Sequence, residues 1–258
     1  MNSFSALINK IQSSKSTDFG DLFNMSVTVF KKVWIQGLIL QLLSILTMLP
    51  LIIIFDIPYF NLVKENTVNG ILDSAAVSQA LINDYGASLI GVYLMLLVVS
   101  VLSYLMYLGF YNLIKQIDHG ESFVISDLFC FFKSSLIGKS LGVFLAYVGI
   151  SLGAALLCFL PLVYAVVPLM FLMPVFAYNP NLSITELVKL SFAIGNKKWG
   201  ITFSTLVLNG ILLYVISLVS FGLGSLFFGC FLYLPQYIIY KEAVGFERSK
   251  SEPQTIDL

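Results

Sequence analysis

The chain has 258 residues, with 14 basic and 14 acidic side chains and no net charge. Hydrophobic residues make up 58% of it and charged residues only 11%, whereas a soluble domain carries roughly 25% charged residues. So few charges cannot cover a water-facing surface, which excludes an ordinary soluble domain and leaves lipid as the solvent.

The first 18 residues, MNSFSALINKIQSSKSTD, are too polar for the apolar region of a signal peptide. The first span is therefore expected to act as an uncleaved anchor behind a short tail, residues 1–17. A helix needs about 20 apolar residues to cross the hydrocarbon core. Four charge-free runs meet that need: 33–55, 87–114, 140–178 and 199–240. The third and fourth are about twice as long as one crossing requires, so each must fold back. Leu160-Pro161 is the expected turn in the third, and Phe221-Gly222-Leu223-Gly224 in the fourth. Six spans result.

Basic residues set the orientation, since Lys and Arg accumulate in cytoplasmic loops. Lys10, Lys15, Lys31 and Lys32 precede span one. Lys115, Lys133 and Lys139 follow span two, and Lys189, Lys197 and Lys198 follow span four. Lys241, Arg248 and Lys250 follow span six. Only Lys64 falls on the other side, in a segment that also carries Asp56, Glu65, Asp73 and Asp84. Both termini are thus expected in the cytoplasm. The excess of lysine over arginine hints at an AT-rich bacterial genome, and the bacterial inner membrane is the expected location. In the outer segment, residues 56–86, a short surface helix is expected over 71–82.

One unit recurs three times, over about 18–115, 122–178 and 183–241, within a membrane domain spanning 18–245; residues 246–258 form a tail. Each unit is read as an interfacial amphipathic helix followed by a hairpin of two spans. The first and third copies align without gaps. Asp18 matches Ser183 as an N-cap, and Asp21 matches Glu186 three residues on, in a capping-box pattern. Phe19, Leu22, Phe23 and Val27 match Ile184, Leu187, Val188 and Phe192, one helical face. Ser26 matches Ser191, Lys32 matches Lys197, and the only two tryptophans, Trp34 and Trp199, coincide. The middle copy repeats only Asp127-Leu128-Phe129. Trp34, Trp199, Lys32 and Lys197 are the expected interfacial anchors, with the lysines meeting anionic cytoplasmic headgroups.

Three elements carry a family resemblance. They are Gly120-Glu121 with Ser126-Asp127-Leu128-Phe129, Pro161 at the end of a span, and Thr185-Glu186-Leu187 with Ser191, Gly195-Asn196 and Trp199-Gly200. Over about residues 18–245 the chain resembles a broad group of bacterial and archaeal six-span proteins. That group includes the membrane domain ahead of some glycerophosphoryl diester phosphodiesterases. The resemblance implies a six-span fold. It implies no catalytic residue, because that family's hydrolysis belongs to a soluble barrel absent here. Leu162 stands where the family often has glycine.

Chemistry inside a membrane usually calls for an ionisable residue at depth. The four apolar runs hold no Asp, Glu, Lys, Arg or His, which argues against proton coupling, an intramembrane metalloprotease and a voltage sensor. Cys130, Cys158 and Cys230 are scattered and apolar-flanked, so neither a zinc site nor a disulfide framework is indicated. His119, the only histidine, lies in Asp118-His119-Gly120-Glu121 and reads as a solvated turn residue. No cofactor and no nucleic-acid partner is expected.

Uncharged polar residues do enter the spans: Gln36, Gln41, Ser44 and Thr47 in the first, and Thr202, Ser204, Thr205, Asn209 and Ser217 in the fifth. Gln36, Gln41 and Asn209 cost most to expose to lipid and should face the bundle. They form either a set of interhelical hydrogen bonds or a polar strip lining a substrate path. Pro50, Pro168, Pro174 and Pro235 are expected to kink their spans. Glycines 138, 142, 149 and 153 are spaced for close helix approach. The reading that follows is a non-enzymatic factor in membrane or envelope organisation. The alternative is a transporter or flippase for a lipid or neutral solute.

Overall fold

A computed structural model describes residues 4–68, 71–85, 88–157 and 160–246. The chain is all-α apart from two two-residue strands, and six of its helical stretches are long and apolar enough to cross a membrane. They are Phe19–Ile54, Gly91–Asp118, Ser134–Leu156, Pro161–Tyr178, Trp199–Val219 and Leu223–Ala243. The protein is a multi-pass membrane protein.

Helix α1 (Phe4–Ser13) buries Leu7 and Ile11, one turn apart, and packs against α9. Helix α2 (Phe19–Leu51) starts at Asp18, whose carboxylate accepts the Gly20 amide. It runs unbroken past Trp34, so the helix expected from residue 18 is continuous with the first span. Pro50 lacks a backbone donor, and the helix loosens just beyond it into a π turn, Ile52–Asp56, before α3 (Ile57–Glu65).

Strands β1 (Thr67–Val68) and β2 (Ile71–Leu72) pair antiparallel. The surface helix expected from residue 71 begins instead at α4 (Ser74–Tyr85). Asp73 sets that start by accepting the Ala75 and Ala76 amides. Helix α5 (Ser88–Asp118) is the second span and ends at Gly120, whose φ of 68° suits a residue without a side chain.

The helix expected ahead of span three is not α-helical. Ile125–Phe132 forms a 3-10 segment, with the Asp127 carboxylate accepting the Val124 amide. The tighter winding lets the Leu128 backbone press on Gly109 of α5, where any Cβ would collide with it.

Span three is α6 (Ser134–Leu156). Span four is α7 (Leu160–Met170) and α8 (Leu172–Tyr178). Pro161 opens α7 rather than ending a span, at a position where its missing N–H costs nothing. Pro168 lies inside α7, and α7 gives way to α8 three residues later, at Phe171. Helix α9 (Ile184–Lys197) leads into α10 (Trp199–Val219). The expected turn follows, at Phe221 (φ 52°) and Gly222 (φ 89°). Span six is α11 (Leu223–Phe228), a 3-10 turn (Gly229–Tyr233) and α12 (Leu234–Ala243).

Spans four and six form the centre. Each buries 56% of its most apolar window, against 17% in spans one, three and five. The outer spans expose Leu145, Leu156, Tyr214 and Leu218, an apolar surface that only lipid can cover. The glycine stripe on α6 does not seal a helix contact. A Cβ on Gly138, Gly149 or Gly153 would meet nothing, and only Gly142 has a close neighbour, Ile184. The close approaches lie elsewhere: Gly37 on Cys230, Gly109 on Leu128 and Gly195 on Pro168.

Candidate functional site

The polar residues of the spans divide by chemistry. Short serine and threonine hydroxyls bond within their own helix. Ser44 donates to Leu40 O, Thr202 to Lys198 O and Thr205 to Ile201 O, which a short side chain can always do. Several longer polar groups do not: among the described residues Gln36 Oε1, Gln116 Oε1, Asn209 Oδ1, Gln236 Oε1 and the Tyr104 hydroxyl are buried with no hydrogen-bond partner.

Gln36 and Gln41 are five residues apart on α2, about 140° around the helix, so they point to different faces. Gln41 packs on Gly229 of the 3-10 turn. Asn209 lines an apolar cavity whose α2 wall is Phe23, Val27, Phe30 and Lys31, a stretch that precedes both glutamines.

The charged centre is Asp118, which from sequence alone is one acid of the Asp118-His119-Gly120-Glu121 turn with no visible partner. As the last residue of α5 it opposes the negative end of that helix's dipole, and its side chain is only 7% exposed. Cations compensate. Lys32 Nζ of α2 donates to Oδ1 at 3.0 Å, and Lys241 Nζ of α12 to Oδ2 at 2.6 Å. Tyr237 OH also donates to Oδ2, at 2.8 Å. One carboxylate thus joins three helices. Its partners lie 86 and 123 residues away in the chain, so no local motif announces them.

Lys197 and Lys198 act in the same manner on the N-terminal segment. Lys197 Nζ donates to the carbonyls of Ile11 and Gln12, the last turn of α1, where a cation is favoured. Lys198, 4% exposed, donates to Lys15 O and to Thr17 Oγ1. Burial pushes its ammonium below the usual lysine range, and the two oxygens keep the charged form in place. At the repeat-matched positions Lys32 and Lys197, therefore, both ammonium groups hold protein oxygens. Trp34 is 40% exposed. Trp199 stacks on Phe203 at 4.8 Å and donates Nε1–H to Tyr164 O.

Ser183 and Glu186 complete the expected capping box at α9. The hydroxyl and backbone amide of Ser183 both donate to the Glu186 carboxylate and hold its pKa below the usual range. His119 Nδ1 lies 2.8 Å from Lys115 O, and its ring meets Phe246 edge-on. Phe246 also contacts Tyr178, Tyr237 and Tyr240, forming an aromatic knot beside Asp118. Cys130 and Cys230 are free thiols, and Cys158 lies outside the described residues. Among the described residues no three of His, Cys, Asp and Glu gather as metal ligands.

No family model, no curated protein and no solved structure matches the chain.

Proposed function

We propose that the protein is a non-enzymatic factor of the bacterial cytoplasmic membrane, with both termini inside, acting on membrane or envelope organisation through lipid or embedded partners. The observation that carries this reading is the state of Asp118. The carboxylate best placed for chemistry is spent on two lysines and a tyrosine. A catalytic or proton-carrying acid needs a free face, and this one is only 7% exposed with both oxygens already accepting hydrogen bonds. The lysines of the same end lie beside the headgroups in this orientation, so anionic cytoplasmic lipid is the proposed partner.

We read the three units as copies of a single hairpin element. Asp18 and Ser183 support this as matched N-caps, and Lys32 and Lys197 as matched clamps. The continuous α2 and the 3-10 segment at 125–132 are then divergent forms of the helix kept as α9. The proposed kinship with the membrane domain of glycerophosphoryl diester phosphodiesterases rests on the residues quoted above.

A transporter or flippase is the second reading. The unpartnered amide oxygens of Gln36 and Asn209 favour it, because such groups are costly unless something passing by uses them. Liposomes holding the purified protein separate the two. The first reading expects no acceleration of phospholipid exchange between leaflets and no turnover of phosphodiester or ester lipids. Protein-dependent, saturable flux would replace it with the second, and lipid turnover would refute both.

A further inference from the structure

Besides the cavity lined by Asn209, one of about 200 Å³ lies where spans two, three, four and six meet. Its walls include Tyr111 of α5, Tyr147 of α6, Met170 and Met173 of span four, and Tyr233 and Gln236 of span six. The two central spans are irregular at this level. Span four changes from α7 to α8 at Phe171, and span six leaves its 3-10 turn at Tyr233 to begin α12. Pro174 has no N–H, so the Met170 carbonyl lacks its regular donor one turn on. Gln236 Nε2 donates to Met170 Sδ at 3.9 Å, which ties α12 to this bend. Irregular backbone at membrane depth is tolerated where it is buried in protein or lines a cavity. Interrupted helices in corresponding positions of repeated units point to a binding site, and spans four and six hold corresponding positions in the proposed repeat.

The lining selects by charge. No lining side chain is ionised. An anion would meet no cation there. A hard metal ion, which takes about six to eight oxygens, would meet no carboxylate. The walls offer three phenol rings and two thioethers instead. The rings of Tyr111 and Tyr233 stand at 87° with centroids 6.3 Å apart, and Tyr107 packs on Tyr233 at 4.6 Å. They make a braced corner rather than a stack, and Tyr147 adds a third ring from α6. Aromatic faces attract cations, most strongly away from water. A charge at this depth is costly. A quaternary ammonium loses least, because its charge is spread over methyl groups and it carries no N–H to satisfy. The volume is below the roughly 300 Å³ at which drug-sized pockets begin, so the group is small.

We propose that this cavity binds a quaternary ammonium group of the size of choline. The positive centre sits among Tyr111, Tyr147 and Tyr233, and the methyl groups pack on Met170 and Met173. The group arrives either on a free solute or as the headgroup of a phosphocholine lipid. The inference does not depend on whether the protein moves its ligand or only holds it.

The test titrates the full-length protein, in a maltoside detergent without ammonium groups, with choline chloride by isothermal calorimetry. The comparison ligands are 3,3-dimethylbutan-1-ol, which has the same shape without the charge, and potassium chloride at matched ionic strength. Dihexanoyl phosphatidylcholine, with dihexanoyl phosphatidylglycerol as its control, tests the lipid source. Expected is one saturable choline site, about tenfold weaker for the neutral isostere and absent for potassium. Tyr147→Leu and Tyr233→Leu should each weaken choline about tenfold, whereas Tyr147→Phe, which keeps the ring, should stay within about twofold. Binding of the phosphatidylcholine alone, lost in Tyr147→Leu, would support the site and assign the group to lipid. Should the leucine variants fail to fold, the isostere comparison on the unaltered protein decides. No saturable site for choline or phosphatidylcholine, equal affinity for the neutral isostere, phosphatidylglycerol binding as tightly as phosphatidylcholine, or Tyr147→Phe as damaging as Tyr147→Leu would each overturn the proposal.

Discussion

Asp118 shows how a single residue can be unreadable in sequence and decisive in the fold. A carboxylate at a helix C-terminus is disfavoured by the dipole, so its presence requires compensation from elsewhere. Lys32, Lys241 and Tyr237 supply it from two other helices. Asp118→Asn keeps the shape but removes the charge that holds two ammonium groups. It should lower the thermal stability of the detergent-solubilised protein by about 2 kcal/mol, the usual worth of a hydrogen bond to a charged group. Lys32→Met and Lys241→Met should each cost less, since these ammonium groups stay half-exposed and the remaining partner still serves Asp118. A melting temperature unchanged in Asp118→Asn would show that the three-helix junction rests on packing alone.

Glu186 gives the matching pH argument at the surface. Its folded pKa is depressed by the two donors of Ser183. The capping box therefore contributes stability above the unfolded glutamate pKa of about 4.3, and that contribution is lost as pH falls through the lower folded value. The difference in melting temperature between the parent protein and Ser183→Ala should be largest near neutrality and shrink below pH 4. A difference that grows on acidification would mean that the cap works without the ionised carboxylate.

At the scale of elements, the six apolar helices and the turn at Phe221-Gly222 were visible because apolar length and turn chemistry are local, whereas Leu160-Pro161, the other expected turn, lies in the first turn of α7. Phe221-Gly222 turns where a glycine permits a positive φ, and Pro161 marks a boundary because it cannot sit deeper in a helix. What escaped the sequence depends on neighbours. Nothing between Val27 and Trp34 breaks a helix, so α2 runs on where α9 and α10 part at Lys198, whose backbone leaves helical geometry. Ile125–Phe132 has the apolar pattern of an amphipathic helix, but its winding is coupled to the close approach of Leu128 and Gly109, a contact no pattern reports. Of the evenly spaced α6 glycines only Gly142 has a close neighbour, whereas Gly109 and Gly195 carry real contacts without any repeat around them. Gly109→Ala and Gly195→Ala should therefore each destabilise the protein by several kcal/mol, because the obstruction is backbone or a proline ring and cannot swing away. Gly149→Ala meets open space within a helix and should stabilise by up to about 1 kcal/mol. Thermal melts of the three variants in one detergent check the order, and Gly149→Ala melting with the other two would contradict it.

At the scale of the whole molecule, the buried and exposed faces give a bundle with spans four and six inside and lipid around the rest. Orientation is a separate matter, resting on the lysines. Several of them are partly consumed by internal contacts: Lys32 and Lys241 by Asp118, and Lys197 and Lys198 by the α1 segment. Engagement does not cancel their topological weight. Thirteen of the 14 basic residues still fall on one side of a six-span reading, and charge acts on insertion before these contacts form. The test uses single cysteines in a background where Cys130, Cys158 and Cys230 are replaced. Thr67, Gln79, Glu121 and Lys189 are exposed and make suitable positions, whereas Gly195 does not, being sealed against Pro168. In intact cells a membrane-impermeant maleimide should label cysteine at 67 and 79 alone. Cysteine at 121 and 189 should react only once the membrane is opened. Labelling of position 189 from outside, with 67 also labelled, would require an even number of crossings between them, where the six-span reading has three. One of the two short helical pairs, α7 with α8 or α11 with α12, would then lie along the membrane instead of through it; for the segment between 67 and 189 that pair is α7 with α8, whose central burial and 18-residue length make it the crossing most open to this challenge.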